Sequence, residues 1–519
     1  MNENTIKHEP HCLSAVIAGS NEDSRLNLKV YVTSTGVARV QISEDVERWQ
    51  PADILQEEGL LPGKYTILDA SDSAVPESVR SSGQKFIALA LHSVKDSEQR
   101  VLVIYTSSLK FELYHSGIQV VAVNERNLMH FEKTQSKAML NINNDDNGAD
   151  GGARNLQSES SESDQPDKHQ GKEIVGYGED GLALYADGTK EVADAELEED
   201  DIDIDGEHVE ANARKLLEAE KYNWEERFQS HTDSRPHGPM SVGVDFSFPF
   251  TNNVFGIPEH AAPLNLPPST GAGSGKHYDQ PYRMYNLDVF EYELDNTMAL
   301  YGNIPFMLGH GVAGSGADLS AVSAALFWFN PSETFIDVNE AKKSGSDAEH
   351  YKQTHWLSES GLIDFFMFSG VEPARAQPAS ALSTVPAQSA HAMATSNPGL
   401  ASVYYDYSLL TGFTALPPLF ALGYHQCRWN YRDEKDVAAV ESKFEELDYP
   451  MDVIWLDIEH TDGKRYFTWD KNLFQTPVEM QQAVAAHGRK MVTIVDPHIK
   501  RDNQYVLLRC FFFFFILLW

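Results

Sequence analysis

The chain has 519 residues, room for two to four domains of about 100–200 residues each. Its formal charge of −36 is concentrated: Glu191 to Glu210 holds eleven acidic residues and no basic one, which reads as a solvated spacer rather than an acidic fold. No basic stripe exists to meet phosphates, which excludes nucleic acid, and three widely spaced cysteines (Cys12, Cys427, Cys510) exclude a disulfide framework or a cysteine metal site.

Residues 1–24 form an N-terminal segment, and Met1 to Ser20 lacks the positive start and apolar run of a signal peptide. From 25 to 140 come short alternating runs such as LNLKVYVTSTGVARVQI, KFIALALHSV and RVLVIYTSSLKFELYH, the period-2 pattern of antiparallel strands in a β-sandwich. Residues 141–206, with NNDDNGADGG, SESSESD and EEDDIDID, offer too little apolar surface to offset the entropy of ordering and are expected to be a disordered insertion. A helix is expected from Val209 to Phe228, with Val209, Ala213, Leu216, Leu217 and Trp224 near one face. Strand signals resume in SVGVDFSFPF, YNLDVFEYEL, MALYGNIPFML and ALFWFN, so 207–371 joins 25–140 in one sandwich. Residues 372–414, rich in Ala, Pro and Ser at their start, read as a loop or linker.

The rhythm changes after Pro417 and Pro418. Strands are expected at Phe420 to His425, Asp452 to Asp457 and Met491 to Asp496, with helices at Asp436 to Leu447 and Val478 to Ala486 between them. Apolar strands alternating with helices make parallel βαβ units, here over 415–505. They supply the first three strands of a (β/α)8 barrel, a fold that needs about 250 residues. Residues 506–519 end in FFFFFILLW, an aberrant apolar tail too short for the roughly 20 residues that span a bilayer, and no membrane partner is expected.

Functional side chains of such barrels sit at the C-terminal strand ends. The first strand is followed by HQCRWNY, which places Trp429 just past it; the second ends in Asp457, with Glu459 and His460 next; the third ends in Asp496-Pro497-His498. An aromatic ring with several carboxylates around one mouth suits carbohydrate, the ring stacking on C–H faces and the carboxylates binding hydroxyls. Plainer roles compete: Trp429 as core, Asp457 and Asp496 as loop caps, and His425, His460 and His498 as hydrogen-bonded histidines, since no HxH or HExxH spacing points to a metal.

ALPPLFALGYHQCRWNYRDEKDV, MDVIWLDIEHTDGKRYFTWD and MVTIVDPHIKRD resemble glycoside hydrolase family 31. Upstream, HTDSRPHGPMSVGVDFSFPF, VFGIPEHA, PYRMYNLDVFEYE, MALYGNIPFMLGH and HWLSESGLIDFF fit the same family in the same order. The resemblance implies a galactose-mutarotase-like β-sandwich ahead of a (β/α)8 barrel. It implies a retaining α-glucosidase that trims α-1,3-linked glucose from a glucosylated high-mannose N-glycan in the endoplasmic-reticulum lumen, with a β subunit as partner and no cofactor or metal. Asp288, Trp429, Asp457 and Ile494 match the family's sugar-pocket positions. Its nucleophile lies in a WNDMNEP-like strand that does not occur here. That residue and the acid/base are expected beyond Tyr505, so the resemblance implies a chain inactive as written. A non-catalytic carbohydrate- or partner-binding product, or another activity of the family such as α-xylosidase, is the alternative.

Overall fold

The structure, a computed structural model, describes residues 1–18, 25–134, 174–177, 183–185, 225–228, 231–234, 238–269, 280–289, 291–314, 320–342, 350–373, 399–496, 500 and 502. The chain divides into two compact units, Met1–Gly412 and Phe413–Trp519.

In the first unit, alternation in the sequence becomes alternation in burial. Leu26–Val32 and Ala38–Ser43 each bury every second side chain and pair antiparallel from Asn27 opposite Ser43 to Val32 opposite Ala38. Such strands assemble into two sheets. The eight-stranded sheet runs in the order Asn2–His8, Cys12–Ile17, Leu26–Val32, Ala38–Ser43, Ile363–Pro373, Ser320–Trp328, Phe306–Ala313 and Val254–Gly256. The other has ten strands, with Val242–Phe248 near its middle between His350–Ser358 and Ile118–Val123. One apolar core takes side chains from both sheets, and Phe246 of the second meets Phe365 of the first edge to face at 5.0 Å. A buried charge marks the seam where Ile363–Pro373 joins Ala38–Ser43. Fully buried Asp364 accepts from Arg39 Nε (2.9 Å) and Nη2 (2.6 Å), Gln41 Nε2 (3.0 Å) and Gln50 Nε2 (2.7 Å).

Several expectations are corrected. The N-terminal segment supplies two strands of the eight-stranded sheet; among the described residues Asn2–His8, NENTIKH, pairs only with Cys12–Ile17 at the sheet's edge, where no apolar alternation is demanded. Within the insertion expected to be disordered, Ile174–Tyr177 pairs with Ala183–Tyr185, two short β-branched and aromatic runs. The helix expected from Val209 falls outside the described residues as far as Trp224. Its last four residues, Glu225–Phe228, instead form a strand paired with His231–Ser234, where a partner in register overrides local propensity. Part of the supposed linker is the helix Leu400–Thr411. Val403, Tyr407 and Leu410 recur on it at helical spacing and pack on the outer face of the eight-stranded sheet, against Phe306, Phe327 and Phe368. Lys95 pins the helix by pairing with buried Asp406 and contacting Ser402 Oγ at 2.9 Å.

The second unit holds three parallel strands, His425–Gln426, Val453–Leu456 and Lys490–Thr493, in that order. They are shorter than expected: Leu419–Leu422 is a 3-10 turn, and pairing begins only where the first strand meets Val453. Helices Glu434–Glu446 and Pro477–Ala486 connect them. Asp433 caps the first by accepting from Asp436 N at 2.8 Å, and Pro477 opens the second without losing a hydrogen bond. Val437, Ile454, Leu456, Phe474 and Val484 form this unit's core. Cys510 and the tail 506–519 lie outside the described residues.

Candidate functional site

The C-terminal ends of the three parallel strands present the predicted groups of the second unit side by side. Past the first strand the chain turns at Asn430, whose φ of 68° is left-handed, and leaves Trp429 63 % exposed, a poor position for a core residue. Past the second, Asp457 opens a 3-10 turn at Ile458–His460, accepting from Ile458 N at 2.7 Å through Oδ1. The capping role is real, but it occupies one oxygen only. Past the third, half-buried Ile494 donates its N–H to Leu456 O at 2.9 Å, which fastens its backbone to the second strand.

Two residues that sequence reasoning passed over complete this rim. Tyr466, 3 % exposed, donates its phenol to Asp496 Oδ2. Its pKa is pushed up by burial first, then by that hydrogen bond and by the charges of Asp496 and Asp457, so the phenol stays a donor. Tyr466 therefore ties the third strand's carboxylate to the loop that follows Asp457. Next to it, Phe467 has a φ of 61°, rare for a bulky side chain, and is 74 % exposed. The signal in the sequence was only the aromatic cluster RYFTWD.

The carboxylates share one pattern. Asp457 spends Oδ1 on Ile458 N–H, Asp496 spends Oδ2 on Tyr466, and Glu459 places Oε1 3.3 Å from Lys464 Nζ. In each, the other oxygen has no hydrogen-bond partner among the described residues, and for Glu459 that oxygen is buried. A rim of acceptors, each held by one oxygen and free at the other, calls for a ligand rich in hydroxyl donors.

The two described strand-end histidines, His425 and His460, are hydrogen-bonded within the fold. His425 accepts from Trp455 Nε1 at 2.8 Å through Nδ1, which leaves Nε2 to donate to Ala421 O at 3.1 Å. Buried His460 engages Asp457 O through Nδ1 at 2.6 Å and meets the Trp469 ring. His498 lies outside the described residues. Glu441, Glu445 and His487 come within ligand distance of one another, but Arg489 already pairs with both glutamates, at the end of the third strand opposite the rim.

Asp288 belongs to the first unit. It is exposed in the irregular segment after Tyr282–Met284.

Residues 153–337 match the glycosyl hydrolase 31 N-terminal galactose mutarotase-like domain, and residues 414–511 the glycosyl hydrolases family 31 TIM-barrel domain, together more than half of the chain. The chain is 50 % identical over 282 residues to neutral alpha-glucosidase AB of Dictyostelium discoideum, covering 54 % of this chain and 26 % of that protein. A crystal structure of a glucosidase II alpha subunit in its alpha3-Glc2-bound form is similar with a TM-score of 0.66 and 30 % identity, over 98 % of this chain and 44 % of that one. An ER glucosidase II heterodimeric complex, of catalytic subunit and the binding domain of the regulatory subunit, gives a TM-score of 0.63 and 29 % identity over the same shares. The chain thus spans about a quarter of the length of the curated relative.

Proposed function

The chain belongs to glycoside hydrolase family 31, and from that membership we propose that it forms part of a retaining α-glucosidase of the glucosidase II type. The reaction is removal of α-1,3-linked glucose from glucosylated high-mannose N-glycans in the lumen of the endoplasmic reticulum. The observation that carries the reading is the group of half-occupied carboxylates past the second and third parallel strands, with an exposed tryptophan past the first. Trp429 offers an exposed ring for a sugar's C–H face, Asp457 accepts from glucose hydroxyls, and Ile494 supplies an apolar wall. Asp288 matches a further substrate-binding carboxylate position of the family. The alpha3-Glc2-bound neighbour supports the linkage, and the heterodimeric neighbour supports a glucosidase II β subunit as partner.

Retention requires a nucleophile and an acid/base about 5–5.5 Å apart across the glycosidic bond. Asp457 binds substrate, Asp496 is held by Tyr466, and the family's WNDMNEP-like nucleophile motif does not occur in the 519 residues, which by themselves do not hydrolyse glycosides. The test is glucose release from nigerose by the longest product of the gene, beside the 519-residue chain. Release by the long product alone, lost in Asp288→Asn and Asp457→Asn, is expected. Failure of the long product to cleave nigerose overturns the function, and cleavage by the 519-residue chain overturns the assignment of roles.

A further inference from the structure

The first unit contains a cleft of about 630 Å³. Its wall includes buried Phe327, Trp328 and Phe329, the helix residue Tyr407, and a polar edge of Asn286, Asn303 and Glu333. A second hollow of about 300 Å³ shares Pro331 and Ser332 with it and is bordered by Trp49. The two adjoin at Pro331 and Ser332; Trp49, 72 % exposed, borders the smaller and Tyr285, 44 % exposed, the larger. Both sizes lie in the range of about 300–1,000 Å³ usual for small-molecule sites.

The polar groups define what the cleft accepts. Asn303 gives Nδ2 to Asn286 Oδ1 at 2.6 Å, but its own Oδ1 is buried without a partner. That oxygen needs a donor. Glu333 is engaged by Arg283 Nε at 2.5 Å, and the same guanidinium lies 4.5 Å from the centre of the Tyr285 ring. The cation is thus neutralised, and an anionic ligand would also meet a chain of net charge −36. A neutral ligand with many hydroxyl donors and apolar ring faces is the class that matches exposed aromatics beside an orphan acceptor.

We infer that the cleft and the smaller hollow form one groove, a non-catalytic binding site for an α-linked hexose oligosaccharide, running from Trp49 past Pro331 and Ser332 to Asn303 and Tyr285. The inference rests on the reading that the protein handles α-linked glycans, and it assigns a place for sugar on the first unit. Trp49 and Tyr285 provide stacking faces, and Asn303 Oδ1 accepts from a hydroxyl.

The experiment is calorimetric titration of the 519-residue chain with nigerotriose and, separately, α-1,2-mannotriose, comparing Asn303→Leu, Trp49→Ala and Asp457→Asn. Saturable binding of at least one sugar, weakened tenfold or more by Asn303→Leu and by Trp49→Ala, is expected. Trp49 is exposed enough that its removal leaves the fold intact, so the test survives a poorly folding Asn303→Leu. No saturable binding of either sugar overturns the inference. So does binding that vanishes in Asp457→Asn and persists in both groove variants, an outcome that leaves the proposed function standing.

Discussion

Asp457→Asn separates holding the loop from holding the sugar. Oδ1 caps the turn at Ile458–His460, and an asparagine Oδ1 can accept the same N–H, since Asn and Asp are nearly equal as caps. What the substitution removes is the ionised second oxygen, which has no partner among the described residues. If that oxygen accepts one glucose hydroxyl, a hydrogen bond to a charged group worth about 1.5–3 kcal/mol is lost. That corresponds to a fall of about 10- to 150-fold in kcat/KM. The assay is hydrolysis of nigerose by the longest product of the gene, with melting followed by near-ultraviolet circular dichroism. A kcat/KM within threefold of wild type would refute the role in binding. A drop in Tm of more than about 5 °C would show that the capping, rather than the sugar, is what the side chain serves.

Tyr466→Phe removes the donor that fixes Asp496 while keeping the ring in place, so KM for nigerose should rise several-fold with kcat little changed; an unaltered KM counts against the tie. Asp364→Ala leaves Arg39, Gln41 and Gln50 facing an empty acceptor site in the sheet seam and should cost about 3–5 kcal/mol in urea unfolding, with a loss under 1 kcal/mol refuting the seam's importance. Burial is the leading cause that lowers the pKa of His115, His260 and His355 below the ordinary 6.5. The unfolded chain therefore takes up these protons first: their stabilisation is complete above about pH 6.5 and is lost as pH falls through the folded values. Melting of the first unit should come at lower temperature at pH 5.5 than at pH 7.5, and a flat or rising trend would contradict this.

Alternation made the sandwich legible, because one face of each sheet is buried and a period of two follows from the pleat. The rule fails where burial does not alternate. Asn2–His8 is an edge strand of polar sequence, and Glu225–Phe228 owes its conformation to its partner. Leu400–Thr411 was hidden for another reason: its spacing is helical, but an Ala/Pro/Ser run precedes it and masks the change in pattern. In the second unit the order of strands and helices was readable from apolar runs, while the strand ends shifted by several residues. A parallel strand lasts only as long as its neighbour offers hydrogen bonds.

The same distinction governs the site. Trp429 and Asp457 could be singled out because a strand's end is a local event, visible in a few consecutive letters. Tyr466 could not, for its value depends on reaching Asp496, thirty residues away and on another strand. The consequence reaches beyond one tyrosine. Each rim carboxylate is oriented by a group outside the strand that carries it or at its very edge: Ile458 N–H, the Tyr466 phenol and the Lys464 ammonium. The strands fix where the carboxylates stand, and the loop from Ile458 to Asp470 fixes which oxygen is left free. Recognition of a polyol depends on the second of these, since a rotated carboxylate in the right place offers its lone pairs in the wrong direction. That loop, with its left-handed Lys464 and Phe467, is therefore where substrate preference should be altered while the strands beneath it are left unchanged.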